Sequence, residues 1–168
     1  MRGRNDMMWS LTSHPQSVRQ TLAQICTYLR ECDLDEGQCL NVELVLAEAL
    51  NNICEHAYAG ADDGRILTAI SCRGAEVQCH ITDKGRAMPN LTPPLGGFRD
   101  PDSFAFDDLP EGGFGWGLIR AIAQDVQYER RDLKNIFSLP LRLNWNKARN
   151  WPVGLSKFSQ HCHKITLV

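Results

Sequence analysis

The segment from Lys84 to Glu111 constrains this 168-residue chain more than any other. It contains Pro89, Pro93, Pro94, Gly96, Gly97, Pro101 and Pro110, and proline fixes its own φ and lacks the amide donor that a helix or central strand needs. No long regular element can cross it, so the periodic sequence is divided into two blocks joined by a long loop. A loop of this length is uncommon in a compact domain, and it reads as either a mobile lid or a solvated connector.

Before the loop, Met7 to Leu11 reads as a short strand. Pro15 opens a helix carrying Val18, Leu22, Ile25 and Leu29, which ends near Cys32. A second helix runs from Asp35 to about Ala57, with Leu40, Leu44, Ala47, Leu50 and Cys54 as its expected apolar stripe. Ile66 to Cys72 and Ala75 to Thr82 form a hairpin through Arg73 and Gly74. After the loop, a short helix follows Gly117, and Val126 to Arg131 and Ile136 to Leu143 make a second hairpin around a turn at Asp132 to Asn135. This order implies an α+β sandwich with helices on one face of a sheet.

A hydrophobic fraction of 43% in 168 residues suits the core of one domain. The net charge of −2 lacks the basic excess of a protein that binds nucleic acid directly. No run of about 18 apolar residues is present, and Met1 to Asp6 is charged, so no membrane span and no export signal are expected. The seven cysteines (26, 32, 39, 54, 72, 79 and 162) form no C-x-x-C pair, which favours reduced thiols and a cytoplasmic location. Residues 144–168 hold Lys147, Arg149, Lys157 and Lys164 without an acid, so they form a compositionally distinct basic extension. Within it, His161-Cys162-His163 falls short of the four ligands of a structural zinc site.

Three constellations carry chemistry. Glu48, Asn52 and His56 recur every four residues and, on a regular helix, span roughly an 80° arc. A carboxylate can take a proton and an amide oxygen can bind Mg²⁺, although the same stripe also suits a solvated face. Asp83-Lys84-Gly85 ends a strand with an acceptor for an exocyclic amine and a glycine that lets backbone approach a flat base, or is simply a turn. Gly112-Gly113-Phe114-Gly115-Trp116-Gly117 places glycines at a helix start, where free amides favour phosphate. It lacks the preceding strand of a Rossmann fingerprint and the Lys-Ser or Lys-Thr of a Walker loop.

In this order the motifs resemble the boxes of the GHKL (Bergerat-fold) ATPases, and most closely the anti-sigma factor serine kinases of the RsbW and SpoIIAB type. Ala47 to Tyr58 resembles the N box, E-A-x-x-N-x-x-x-H-x-Y; the resemblance makes Glu48 the general base, Asn52 the Mg²⁺ ligand and His56 a supporting polar residue. Residues 81–89 resemble the first glycine box, D-x-G-x-G-x-P, with Asp83 reading adenine, Gly85 beside it and Ala87 in place of the second glycine. Glu111 to Ile119 resembles the second glycine box, with Gly113, Gly115 and Gly117 around the phosphates, and the long loop becomes an ATP lid.

The resemblance covers residues 7–143 as one ATP-binding kinase domain and leaves 144–168 without a transferable role. It implies a two-layer Bergerat fold with helices on one face of a mixed, mainly antiparallel sheet, ATP and Mg²⁺ as cofactors, and a homodimer. The implied partner is an anti-anti-sigma factor of the STAS fold, phosphorylated on serine or threonine, with a sigma factor as a further partner. The alternatives are a nucleotide-dependent module that sequesters a regulator without turnover, and the detached ATP-binding domain of a histidine kinase.

Overall fold

The computed structural model describes residues 5–95 and 114–143. Gly112, Gly113, most of the expected lid, His161–His163 and the whole 144–168 extension lie outside these residues.

Strand β1 (Asn5–Thr12) leads into helix α1 (Pro15–Glu31). His14 caps α1 by accepting the Gln16 amide, and Pro15 occupies the first turn, where its missing N–H costs nothing. Val18, Leu22, Ile25 and Leu29 are buried as their spacing predicts. Helix α2 (Glu36–Asn52) begins with a reciprocal capping box: the Gln38 amide donates to Asp35 Oδ1 and the Asp35 amide to Gln38 Oε1, both at 2.9 Å. Gln38 Nε2 also donates to the Leu143 carbonyl, which ties the start of α2 to the end of the domain.

The buried face of α2 differs from the expected stripe. Cys39, Val42, Val45, Leu46, Ala49 and Leu50 are buried, so of the five expected positions only Leu50 is, and Leu40 is 42% exposed. Apolar residues surround most of this helix, so periodicity leaves the face open; α2 packs against both α1 and α3, and those neighbours choose it. The helix also does not run regularly to Ala57, because Ile53–Ala57 forms a π-helical turn.

Strands β2 (Arg65–Arg73) and β3 (Glu76–Asp83) form the first hairpin. Helix α3 (Phe114–Ile122) starts four residues earlier than the Leu118 that the glycines suggest, so Gly115 and Gly117 lie inside it rather than in a loop before it. Strands β4 (Gln127–Arg131) and β5 (Lys134–Arg142) close the fold. Their turn is only two residues, Asp132 and Leu133, both at positive φ. Lys134 and Asn135, expected in the turn, therefore belong to β5.

The sheet order is β1-β2-β3-β5-β4, and every described pairing is antiparallel. Ile66, Ile70, Val77, Cys79, Ile81, Phe137, Leu139 and Leu141 share one buried face and a single core with the helices. Opposite positions such as Leu67 and His80 are exposed. The six described cysteines are free thiols. On the core face Asp83 pairs in register with Asn135, so two polar residues, each 1% exposed, end an otherwise apolar row.

Asp35→Ala removes both bonds of the capping box and should cost about 1 kcal/mol. In urea unfolding the midpoint should fall with an unchanged slope, since the buried core is untouched.

Candidate functional site

The end of β3 meets the π-turn that finishes α2. Gly85 packs directly on the π-turn: a Cβ there would lie 2.6 Å from the Ala57 carbonyl oxygen and 2.7 Å from the Ala57 Cβ. The adjacent Arg86 amide donates to that carbonyl at 2.8 Å. Glycine is thus required at position 85 by packing against protein, a different reason from the approach to a base expected above. Tyr58 adds a second tie, its hydroxyl donating to the Arg65 carbonyl at 2.6 Å and accepting the Lys84 amide at 3.1 Å.

Asp83 stands at the centre of this junction. Its Oδ1 accepts the Gly85 amide and Asn135 Nδ2, each at 2.7 Å, while its buried Oδ2 has no partner among the described residues. Buried polar atoms are nearly always satisfied, so an orphan acceptor points to a donor supplied by a ligand. Burial pushes the Asp83 carboxyl above its ordinary value, opposed by the two hydrogen bonds and by the Arg130 guanidinium.

Glu48 and Asn52 come together as their spacing predicts. Asn52 Nδ2 donates to the Glu48 carbonyl at 2.7 Å, which directs the amide nitrogen back to the helix and leaves Oδ1 as the hard oxygen donor that Mg²⁺ prefers. The half-buried Glu48 carboxylate has no ion pair or side-chain hydrogen bond among the described residues. Burial, with a smaller contribution from Glu55, raises its pKa. Gly115 of α3 sits against it, so close that a Cβ would overlap the carboxylate. His56 does not join the pair: it is exposed and makes no hydrogen bond to either residue. The regular 80° arc assumed an α-helix throughout, and the wider π-turn redirects position 56.

Ala87 adopts no left-handed backbone, so the absent glycine imposes no strain there. Gly117 lies on α3 one turn into the helix, and Gly113 is outside the described residues. Sequence reasoning did not identify Asn135, Tyr128 or Arg130. Tyr128 OH and Arg130 Nη1 both donate to Asn135 Oδ1, and the Met88 amide donates to Tyr128 OH at 3.0 Å. The alternation of Tyr128 and Arg130 on one face of β4 was the available signal; their partner was hidden by placing Asn135 in a turn. Among the described residues no group of three or more His, Cys, Asp or Glu side chains could hold a metal, and no helix is long and apolar enough to cross a membrane.

The family model of the histidine kinase-like ATPase domain matches residues 11–140. A serine/threonine-protein kinase, BtrW of Bordetella bronchiseptica, is 34% identical over 92 residues, which is 55% of this chain and 62% of that protein. The match thus spans less than two thirds of BtrW. The anti-sigma F factor of Bacillus cytotoxicus is 21% identical over 124 residues, covering 74% of this chain and 82% of the factor. Among solved structures, the RsbU and RsbW domains of Rv1364c from Mycobacterium tuberculosis superimpose with a TM-score of 0.56 at 18% identity, over 83% of this chain and 32% of that one. That likeness supports the fold.

Two stability measurements check this geometry. Gly85→Ala should cost about 1–3 kcal/mol through overpacking on the Ala57 backbone and lower the Tm by several degrees. Glu48→Gln should raise the Tm at neutral pH without nucleotide or Mg²⁺. The folded state holds the Glu48 proton more tightly than the unfolded chain, so wild-type stability falls as pH rises from the ordinary value of 4.5 through the raised one. The advantage of the variant should vanish below that window, and equal Tm values at all pH would place Glu48 in a water-like environment.

Proposed function

Because the chain belongs to the histidine kinase-like ATPase domain family, we propose that it is an ATP-dependent serine/threonine protein kinase of the anti-sigma type. The observation that carries the reading is the orphan Oδ2 of Asp83, an acceptor that an exocyclic amine would satisfy, in the same fold as an unpaired carboxylate on Glu48. Asp83 would hold the adenine amino group. The amides at the start of α3, with Gly113, Gly115 and Gly117, would face the phosphates.

Asn52 would hold Mg²⁺ through its free amide oxygen, and the ion would neutralise charge on the phosphate oxygens. Glu48 would accept the proton of the incoming serine or threonine hydroxyl as its oxygen bonds to the γ-phosphorus and the bond to the bridging oxygen of ADP breaks. A carboxylate free of a cationic partner and raised in pKa by burial is a better base than a solvated one.

The names of the relatives support an anti-sigma role: a serine/threonine kinase in one case, an anti-sigma F factor in the other. The partner we propose is a STAS-type anti-anti-sigma factor in the cytoplasm, with a sigma factor as the regulated target and a homodimer as the working form. Residues 144–168 are proposed as a separate basic extension of the 7–143 kinase domain.

Incubation with γ-labelled ATP, Mg²⁺ and STAS-domain proteins should place label on a serine or threonine of one partner. Glu48→Gln should abolish transfer while ATP affinity stays within about threefold, because glutamine keeps the size and polarity but not the proton affinity. Tight, ATP-dependent partner binding with no label from the wild type would instead identify a sequestering module.

A further inference from the structure

The amide of Asn135 is 1% exposed and fully engaged at both ends. Its Oδ1 accepts from Tyr128 OH at 2.7 Å and from Arg130 Nη1; its Nδ2 donates to Asp83 Oδ1 at 2.7 Å and to the Arg86 carbonyl at 3.0 Å. Two donors on the oxygen end leave no orientation other than the one that turns the nitrogen toward Asp83. Asp83 is thereby made asymmetric. A carboxylate has two equivalent oxygens, but here Oδ1 is occupied by two donors and Oδ2 alone is left to a ligand.

We propose that Asn135, oriented by Tyr128, is the positioning residue that makes this site select a 6-amino purine over a 6-oxo purine. The assignment rests on the reading of Asp83 as the base-recognising residue and adds what gives that residue its selectivity. A 6-amino group offers a donor to Oδ2. A 6-oxo group offers an acceptor, which an ionised carboxylate repels and a protonated, rotated one can accommodate. Asn135 opposes both escapes by donating to the charged form and by holding the carboxylate in one orientation. The same relay reaches the backbone near the end of the first glycine box, since Tyr128 OH also accepts the Met88 amide at 3.0 Å.

The charged and titratable groups facing Asp83 are Arg130 from β4 and Tyr58 and Cys54 from the end of α2 and its π-turn. Burial pushes Cys54 to about 11 and raises Tyr58 as well. Asp83 is therefore the member of this set that gains a proton when its hydrogen bond from Asn135 is lost.

The test compares ATP with ITP, which carries the same phosphates on a 6-oxo base, by calorimetry with Mg²⁺ on the full chain. Wild type should prefer ATP by about tenfold or more. Asn135→Ala should lose most of that preference while its ITP affinity stays within about threefold of wild type. Its residual preference should fall further as the pH is lowered, and by more than the wild-type ratio does, because the carboxyl raised by burial has lost a hydrogen bond that favours its charged form. Tyr128→Phe keeps the ring packed on Phe137 and removes only the hydroxyl, so it should give an intermediate ratio and decides the matter if Asn135→Ala does not fold. Equal weakening of both nucleotides, or an unchanged ratio in the folded variants, overturns the positioning role. A wild-type protein indifferent to the base overturns the reading of Asp83 itself, and this assignment with it.

Discussion

The contact between Gly85 and the Ala57 backbone is the constraint on which the site depends. It joins the end of α2 to the end of β3 at a separation that admits no side chain at position 85. The Arg86 amide and Tyr58 hydroxyl hold the same seam by hydrogen bonds. The π-turn at Ile53–Ala57 belongs to this seam: it ends α2 with a carbonyl available to Arg86. Such single-turn irregularities are frequent at functional sites, and here the irregularity also turns His56 away from Glu48 and Asn52.

The seam supports an arrangement that stability alone would not select. Asp83 and Asn135 occupy core-face positions, where neighbouring rows of the sheet hold isoleucine, phenylalanine and leucine. Removing a carboxylate from water is costly unless hydrogen bonds replace hydration, and the structure replaces it on one oxygen only. Asn135, Tyr128 and Arg130 satisfy one another around that oxygen, so the unsatisfied atom is confined to the side that a base would occupy. A fully satisfied network would be more stable and would have nothing left to bind.

Glu48 on α2 follows the same logic. Its carboxylate is half-buried, has no cation among the described residues and lies under Gly115 of α3. An arginine or lysine beside it would stabilise the fold and lower the proton affinity of the carboxylate. The absence of a side chain at position 115 lets α3 approach this unpaired carboxylate, where a Cβ would overlap it.

Much of the fold was legible in the sequence, since helix caps, apolar repeats and strand alternation depend on residues a few positions apart. His14-Pro15 and the Asp35–Gln38 box start two helices where their chemistry predicts, and the alternation of β2 and β3 identifies the core face. The residue types of the candidate site, Glu48, Asn52 and Asp83, were legible for the same reason. What the sequence could not decide depends on contacts between distant residues. Apolar residues on several faces of α2 left its buried side to be chosen by α1 and α3. The π-turn became visible only with the glycine box docked against it, and Asn135 gained its role from Asp83, 52 positions earlier in the chain. Local sequence determines which elements form and which chemistry they carry, whereas the pairing of β3 with β5 decides which oxygen of Asp83 remains free, because that choice is made by a neighbour in space.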